Sequence, residues 1–164
     1  MKTLVAALTI AAAVVSAAAP SLAQNAGQIA RVRGGAACAG CNLFQGDFSG
    51  LEARGINLSG ARLRQADISL SVLSNARLSN TDMRDIEAYG AVLTGASLSG
   101  ADLTNASLVG AYLNGANLAG ARLSGANLSG AQLGSARGLT QGQLSQACGD
   151  EATVLPRGMR IPAC

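Results

Sequence analysis

Small and large apolar residues recur along this chain with a period of five. The period is clearest over residues 91–133, where phrases such as Ala91-Val92-Leu93-Thr94-Gly95 follow one another. From Leu43 to Leu133 in steps of five, 17 of 19 positions are Leu, Ile, Met or Phe. The position two residues earlier is small in 16 of 19 cases. One continuous pattern therefore organises about residues 41–137.

A period of five fits neither a regular helix nor a flat strand. Five residues advance a helical side chain by about 140°, so the leucines would spiral around the helix. Along a strand side chains alternate, so an odd spacing would send successive leucines to opposite faces. A short extended segment followed by a corner resolves the conflict. Four corners would close a coil of about 20 residues, with coils stacked about 4.8 Å apart.

The exceptions to the pattern compensate one another. Ala53 and Ala88 occupy large positions, and each follows a large residue at the small position, Leu51 and Ile86. Core volume is kept when large and small residues trade places in this way. The pattern therefore predicts an all-β solenoid with a leucine-filled interior and four outward-facing sides.

The A-x-L-x-G phrase resembles the repeats of pentapeptide repeat proteins. It occurs here as Ala101-Asp102-Leu103-Thr104-Asn105 and Ala116-Asn117-Leu118-Ala119-Gly120. The resemblance implies a right-handed quadrilateral β-helix, which we place at residues 38–138. It implies little about function, because members of the family share a shape and differ in their partners.

Residues 1–23 have the pattern of a secretory signal. Lys2 precedes an apolar run, and Ser21-Leu22-Ala23 is a small-x-small cleavage site. The run is short for a bilayer span, which disfavours an uncleaved anchor, so we expect no membrane span in the mature chain. Loss of Lys2 leaves 11 basic against 9 acidic residues, a net charge of +2. We therefore expect a periplasmic or secreted protein, cleaved after Ala23, that does not bind nucleic acid.

Residues 24–37 are rich in Gly and Ala and are expected to form a loose lead-in to the first coil. Arg31 and Arg33 lie in this segment. They are compatible with contact to an anionic surface, but a solvated chain end is the more usual role of such residues.

Residues 139–164 are expected to cover the other end of the solenoid. Thr140 and Gln143 have the spacing of a capping box, which predicts a short helix at about residues 140–147. That helix would lay Leu139 and Leu144 over the last coil, ahead of an extended tail. Solenoids need such end covers, because a bare terminal coil exposes its core and its unpaired edge.

Four cysteines flank the repeats, Cys38 and Cys41 before them and Cys148 and Cys164 after them. In an exported protein they predict two disulfides. Nearly five coils separate the two ends by more than about 20 Å, whereas bridged Cα atoms lie within roughly 7 Å. The expected pairs are therefore Cys38–Cys41 and Cys148–Cys164. A redox site would need a βαβ context, and haem attachment would need a His where Asn42 stands.

Outward hydrophobic residues cluster when residues twenty apart are stacked. The candidate interaction patch consists of Leu70, Val72, Tyr89, Val92, Val109 and Tyr112. A continuous apolar patch predicts a docking surface. The alternative is that Val and Tyr columns simply favour strands, since singly exposed apolar residues are common.

Carboxylates stack in another column, formed by Asp47, Asp67 and Glu87 about 5 Å apart. Such oxygen ligands suit a weak Ca²⁺ site. We expect instead that Arg64 and Arg84, three residues before Asp67 and Glu87, neutralise them. A mixed, solvated column is expected from Arg62, Asp82, Asp102 and Arg122.

No catalytic, cofactor or metal site is predicted. The chain has no His, its cysteines are assigned to disulfides, and its glycines recur as corners and not as a phosphate loop. We expect an exported, non-enzymatic structural or protein-interaction scaffold whose partner is an unknown protein or envelope component. Monomer and homodimer are both compatible with the sequence. The resemblance also suggests a topoisomerase-binding DNA mimic, which the export signal and the slight positive charge disfavour.

Overall fold

Parallel β-bridges stack residues twenty apart along the chain. The computed structural model describes residues 25–164, so the predicted signal at residues 1–23 lies outside the described residues. Sixteen bridges join residue i to residue i+20, from Asn42–Arg62 to Asn117–Arg137. Each side of a coil contributes one bridged residue, so the β-structure consists of isolated bridges and not of longer strands. The solenoid with coils of 20 residues is therefore confirmed.

Every pentad closes a tight turn and adds to the ladder between coils. The carbonyl of Leu93 accepts a hydrogen bond from the N–H of Ala96 at 3.0 Å. The third residue of this turn, Gly95, has φ +70°, the region that favours glycine. Between coils, the N–H of Leu93 donates to the carbonyl of Tyr112 at 2.8 Å, and the N–H of Tyr112 to that of Ala91 at 2.9 Å. The turn in each five-residue repeat and the ladder between residues twenty apart thus together satisfy the backbone N–H and C=O groups.

Asn and Asp side chains at the bridged position bind the corner that follows. The N–H of Ser69 donates to Asp67 Oδ1 at 2.8 Å, and the N–H of Ser129 to Asn127 Oδ1 at 2.9 Å. This short-range bond pairs an amide of the corner and is the reason Asn and Asp favour turns. The same contact is made by Asn42, Asp47, Asn57, Asp82, Asp102 and Asn117.

The interior contains the leucine and small-residue columns, as the pattern predicted. Leu93, Leu98 and Leu103 are fully buried. Burial of one such side chain stabilises the fold by roughly 1.5–3 kcal/mol. Ser71 and Thr81 occupy small inward positions, and their hydroxyls each donate to the carbonyl three residues earlier at 2.6 Å. In residues 25–164, no buried side-chain N or O atom lacks a partner.

The loose lead-in expected over residues 24–37 is instead a helix. Helix α1 spans Ala26–Arg33, and the side chain of Asn25 accepts a hydrogen bond from the N–H of Gln28 at its start. Val32 in this helix is fully buried. The helix therefore closes the apolar opening of the first coil, which an unpacked segment would leave exposed.

The polar side of α1 also contacts the first coil. Gln28 Oε1 accepts a hydrogen bond from the N–H of Asn42 at 2.7 Å. Because no earlier coil pairs that edge, the side chain supplies the acceptor that the ladder lacks there. Arg33 donates to Asp47 at 2.6 Å, and both side chains remain more than half exposed, so this solvated segment is also bound to the first coil.

A second, very short helix follows the last pentad. Helix α2 spans Gln141–Leu144, one turn and shorter than the expected 140–147, and it begins with the capping box of Thr140 and Gln143. Gln143 Nε2 donates to the carbonyls of Leu118 and Ala121 at 2.9 and 2.8 Å. Leu144, at the end of the helix, is fully buried.

The tail after α2 continues the stack beyond Gly138. Cys148 forms a bridge with Asn127 and Val154 with Gln132, offsets of 21 and 22 residues instead of 20. These two sides of an additional coil pair the ladder groups of residues 126–133. The tail is therefore part of the β-structure and not only a segment tied to its end.

Both expected disulfides are present, one at each end of the solenoid. Cys38 is joined to Cys41 and Cys148 to Cys164, with Cα separations of 5.5 and 4.8 Å. No cysteine among residues 25–164 is free.

The two disulfides are expected to differ in their contribution to stability. Their sequence separations are 3 and 16 residues. In the chain-entropy account, the longer loop stabilises by about 3 kcal/mol and the shorter by about 1.5 kcal/mol. Urea unfolding followed by circular dichroism should show a larger loss for the Cys148→Ser, Cys164→Ser variant than for the Cys38→Ser, Cys41→Ser variant. Equal losses would contradict the loop-length argument.

Candidate docking surface at an apolar corner

The four sides of the solenoid differ in chemistry. Each side is defined by its column of bridged residues, which point outward. The first column includes Arg62, Asp82, Asp102 and Arg122; the second includes Asp47, Asp67 and Glu87; the third runs through Glu52, Val72, Val92, Tyr112, Gln132 and Val154; the fourth includes Arg77, Ser97 and Asn117. Only the third side is dominated by apolar residues.

The six residues of the predicted patch meet at the corner between the second and third sides. We call them the apolar corner: Leu70, Val72, Tyr89, Val92, Val109 and Tyr112. Val72, Val92 and Tyr112 are successive bridge partners. Before the corner, the N–H of Gly90 donates to the carbonyl of Val109 at 2.9 Å, which places Tyr89 and Val109 in adjacent coils. The stacking inferred from residue spacing therefore holds at this corner.

The exposed large hydrophobic residues of the described chain lie at this corner or along the third side next to it. Within residues 25–164 they are Leu70, Tyr89, Tyr112 and Val154, with exposures of 63%, 57%, 49% and 45%. Val154 bridges Gln132, which in turn bridges Tyr112, so it extends the third-side column. Sequence spacing missed Val154, because α2 shifts it from the twenty-residue register.

A strip of bare backbone runs along the apolar corner. After Leu70, the corner residues of the following coils are Gly90, Gly110 and Gly130, with φ values of +61°, +66° and +68°. A Cβ added at Gly110 would meet no atom within 4 Å. The two apolar columns thus flank a strip of corner backbone, which we call the glycine trough; no side chain covers Gly110 or Gly130, whereas the Leu70 side chain lies over Gly90. Leu70 stands at one end of it.

Asp150 stands at the other end of the glycine trough. Its Oδ1 accepts a hydrogen bond from the N–H of Gly130 at 2.8 Å. This backbone hydrogen bond, with those from Ala152 and Thr153, holds the pKa of Asp150 below its usual value. The carboxylate is therefore charged at neutral pH.

Carboxylates surround the apolar corner. Glu52 bridges Val72 at the start of the third-side column, and Glu87 lies two residues before Tyr89. Within residues 25–164, salt bridges involve none of Glu52, Asp67, Glu87, Asp150 and Glu151. Two arginines, Arg54 and Arg157, follow Glu52 and Val154 in sequence. The rim of the corner is therefore acidic, although the chain as a whole carries a net positive charge.

The arginines expected to neutralise the acidic column bind other carboxylates. Arg84 Nε and Nη2 donate to Asp82 Oδ1 and Oδ2, each at 2.7 Å. Arg64 Nε lies 3.3 Å from Asp85 Oδ2. The expectation that they pair with Asp67 and Glu87 is wrong, because Asp82 lies closer to Arg84, and Asp85, at the same corner of the next coil, lies closer to Arg64.

The acidic column does not bring its carboxylates together as a cluster of metal ligands within residues 25–164. Asp47 is bound by Arg33, and Asp67 accepts a hydrogen bond from its own corner. In the part of the chain that the structure describes, no group of three or more Asp, Glu, Cys or His side chains is placed to hold a metal ion. The calcium alternative therefore gains no support from these residues.

Two further features bear on the surface. An open depression of about 440 Å³ lies at the C-terminal end, lined by Gly149, Asp150, Glu151, Ile161, Ala163 and Cys164. Two residues that line this depression, Asp150 and Glu151, also lie at the end of the glycine trough. Among residues 25–164 there is no helix of the length and apolarity that a membrane crossing requires.

Comparison with known proteins identifies the repeat. The sequence model for pentapeptide repeats matches eight copies, over residues 36–75, 71–108 and 106–137. The chain belongs to the pentapeptide repeat family. No curated protein sequence matches it.

Solved structures of pentapeptide repeat proteins share the fold. Rfr23 from the cyanobacterium Cyanothece 51142 is 27% identical, with a TM-score of 0.52 over 79% of this chain and 97% of that protein. The protein alr5209 from Nostoc PCC 7120 is 26% identical, with a TM-score of 0.55 over 84% of this chain and 88% of that protein. QnrB1, a plasmid-mediated fluoroquinolone resistance protein, reaches only 19% identity and a TM-score of 0.35, over 74% of this chain and 79% of that protein. That similarity carries no inference about function.

Leu70 is expected to lower the stability of this pentapeptide repeat solenoid. Its φ of +58° belongs to the region that costs a non-glycine residue about 1–2 kcal/mol, whereas a glycine loses about 0.5–1 kcal/mol through chain entropy. Leu70→Gly should therefore raise the free energy of unfolding by roughly 0.5–1 kcal/mol, measured by urea unfolding. Asn80→Gly is the matched control at φ +56° and should change stability less, because Asn tolerates this region. A destabilised Leu70→Gly variant would contradict the argument.

The ion pair on the first side predicts a pH dependence. Hydrogen bonds from Arg84 lower the pKa of Asp82, so the carboxylate contributes stability above its unfolded pKa and loses it as the pH falls through the folded pKa. Asp82→Asn should reduce the free energy of unfolding by about 1 kcal/mol at pH 7. The difference from the wild-type protein should shrink toward pH 2.5. Urea midpoints at the two pH values measure it, and a difference that grows on acidification would refute the assignment.

Proposed function

We propose that this protein is an exported, non-enzymatic scaffold that binds another protein through the apolar corner. One observation carries the proposal: of the four exposed large hydrophobic residues among residues 25–164, three lie at the apolar corner and the fourth, Val154, lies farther along the same third-side column. Exposed apolar patches of this kind are typical of interaction sites, where Tyr is enriched.

The conformation of Leu70 supports this proposal. Its side chain is mostly exposed and its φ is positive, so it neither fills the core nor relieves the backbone. Twelve of the nineteen corner positions from Gly40 to Gly130 are glycines with a positive φ, which makes glycine the residue that the fold itself favours at a corner. A leucine in this place lowers stability through its backbone and packs only on Gly90 of the next coil, which is the pattern of a residue retained for binding.

Export is supported by the ends of the chain. The sequence begins with a secretory pattern, and both disulfide pairs have a geometry that oxidation can close. Disulfides persist in oxidising compartments such as the periplasm or the extracellular space. Mass spectrometry of the protein recovered from the periplasm of an expressing bacterium should give a chain that begins at Gln24 with both disulfides formed.

A binding role is favoured over an enzymatic one by the residues available. The sequence contains no His, and the described cysteines are paired. Arg84 neutralises carboxylates of the first side, and the hydrogen bonds to Asp150 beside the C-terminal depression keep it ionised, so neither site offers a protonated acid at neutral pH. The alternating Arg and Asp residues of that side also differ from the uniformly acidic surface that a DNA mimic needs, so the topoisomerase reading remains the weaker alternative.

Comparative capture tests the proposal. The mature protein and a Leu70→Gly, Tyr112→Ser variant are immobilised and exposed to periplasmic and culture-supernatant fractions. A partner should be enriched by the wild-type protein, and binding of the purified partner should weaken at least tenfold in the variant, measured by titration calorimetry. Ser97→Ala on the fourth side is the control and should bind like the wild-type protein. Equal binding by wild type and the corner variant would refute a docking role for the apolar corner.

A further inference from the structure

The glycine trough has the length and spacing to receive one helical segment. From the coil of Leu70 to that of Asp150 there are four coil steps, about 19 Å. About 13 residues of α-helix span this distance at 1.5 Å per residue. The coil spacing of about 4.8 Å is close to the helical pitch of 5.4 Å, so side chains one turn apart meet successive coils.

The apolar corner is too small to hold a second copy of the chain alone. Even the whole surface from the coil of Leu70 to that of Asp150, about 19 Å long and four residues or about 13 Å wide, has an area near only 250 Å². A stable protein interface buries about 800 Å² on each partner. A single short segment that settles into the trough fits this area better than a flat contact between two solenoids.

The acidic rim selects the charge of the occupant. Asp67 and Glu87 lie on the second side, in a column parallel to the trough. This column is about 6.5 Å from that of Tyr89 and Val109. Glu52 lies toward the Leu70 end, and Asp150 and Glu151 lie at the other end. None of these carboxylates forms a salt bridge within the described residues. An occupant with basic residues beside its apolar stripe would pair with them.

We infer that the glycine trough binds a basic amphipathic helix of a partner protein. Its apolar residues lie on the bare backbone of Gly110 and Gly130 and against the Leu70 side chain that covers Gly90, between the two apolar columns. Its Lys or Arg residues face Asp67 and Glu87. This inference rests on the proposed docking function and specifies the chemistry of the partner.

Two corner glycines provide a matched test. Gly110 and Gly120 both have φ +66°, and a Cβ added at either would meet no atom within 4 Å. Asn occupies other corners with the same sign of φ, so Gly110→Asn and Gly120→Asn are both compatible with the fold. Only Gly110→Asn places a polar side chain in the trough. Equal urea midpoints of the two variants would establish that any difference in binding is not a difference in folding.

The probe is a fluorescein-labelled 14-residue peptide of Leu and Lys with leucines at helical spacing. Fluorescence anisotropy should show binding to the wild-type protein and to Gly120→Asn within a factor of two of each other. Gly110→Asn should weaken binding at least tenfold. Glu87→Gln should weaken it about threefold at low salt and reduce its salt dependence. The same peptide with Glu in place of Lys should bind at least tenfold more weakly than the Lys peptide.

The outcomes separate this inference from the proposed function. Equal loss of binding in Gly110→Asn and Gly120→Asn, or equal binding of the Lys and Glu peptides, would overturn the basic-helix inference. A partner captured through the apolar corner by an acidic or uncharged segment would also overturn it, while the docking function would stand. Capture that does not depend on Leu70 and Tyr112 would remove the docking function itself.

Discussion

The whole structure depends on a corner at every fifth residue that returns the next leucine to the same interior. Without the corner between Leu93 and Ala96, the odd spacing would send Leu98 outward. With it, the two leucines are both fully buried. The same geometry brings residue i beside residue i+20, so the backbone bonds between coils exist only because the side-chain register is kept. Burial and hydrogen bonding are two results of one periodic turn.

The ends of the solenoid show what happens where this periodicity stops. A terminal coil has an apolar opening on one side and unpaired N–H and C=O groups along its edge. At the N-terminal end, Val32 closes the opening and Gln28 pairs an edge amide. At the C-terminal end, Leu144 and the side chain of Gln143 have the same two contacts, to the core and to edge carbonyls. Helices α1 and α2 thus both cover an open end of the core with one apolar residue and pair exposed edge groups with one glutamine side chain.

Because the interior is occupied by a repeated set of residues, the outer sides are free to vary in chemistry. A side chain at a bridged position has no part in the core, so the first side carries ion pairs while the third is apolar. Outward-facing polar residues still stabilise the fold where an Asn or Asp side chain accepts a hydrogen bond from the next corner. Leu70 does neither, since its side chain is exposed and its φ is positive. A residue that serves neither core nor corner is the best indication of a role outside the fold.

The sequence by itself determined the repeat, the inward leucines, the stacking of Val72 on Val92 and the pairing of the cysteines, because all of these follow from a period of five carried over many coils. Only the tertiary structure decided where the period ends and what replaces it. Helix α1 was not anticipated, since a short Gly- and Ala-containing segment becomes helical only when Val32 has a coil end to cover. The partners of Arg64 and Arg84 depend on which carboxylate a long side chain can reach around a corner, and residue spacing does not encode that reach. The position of Val154 was missed for a related reason: α2 changes the bridge register to offsets of 21 and 22, and counting by twenty then fails.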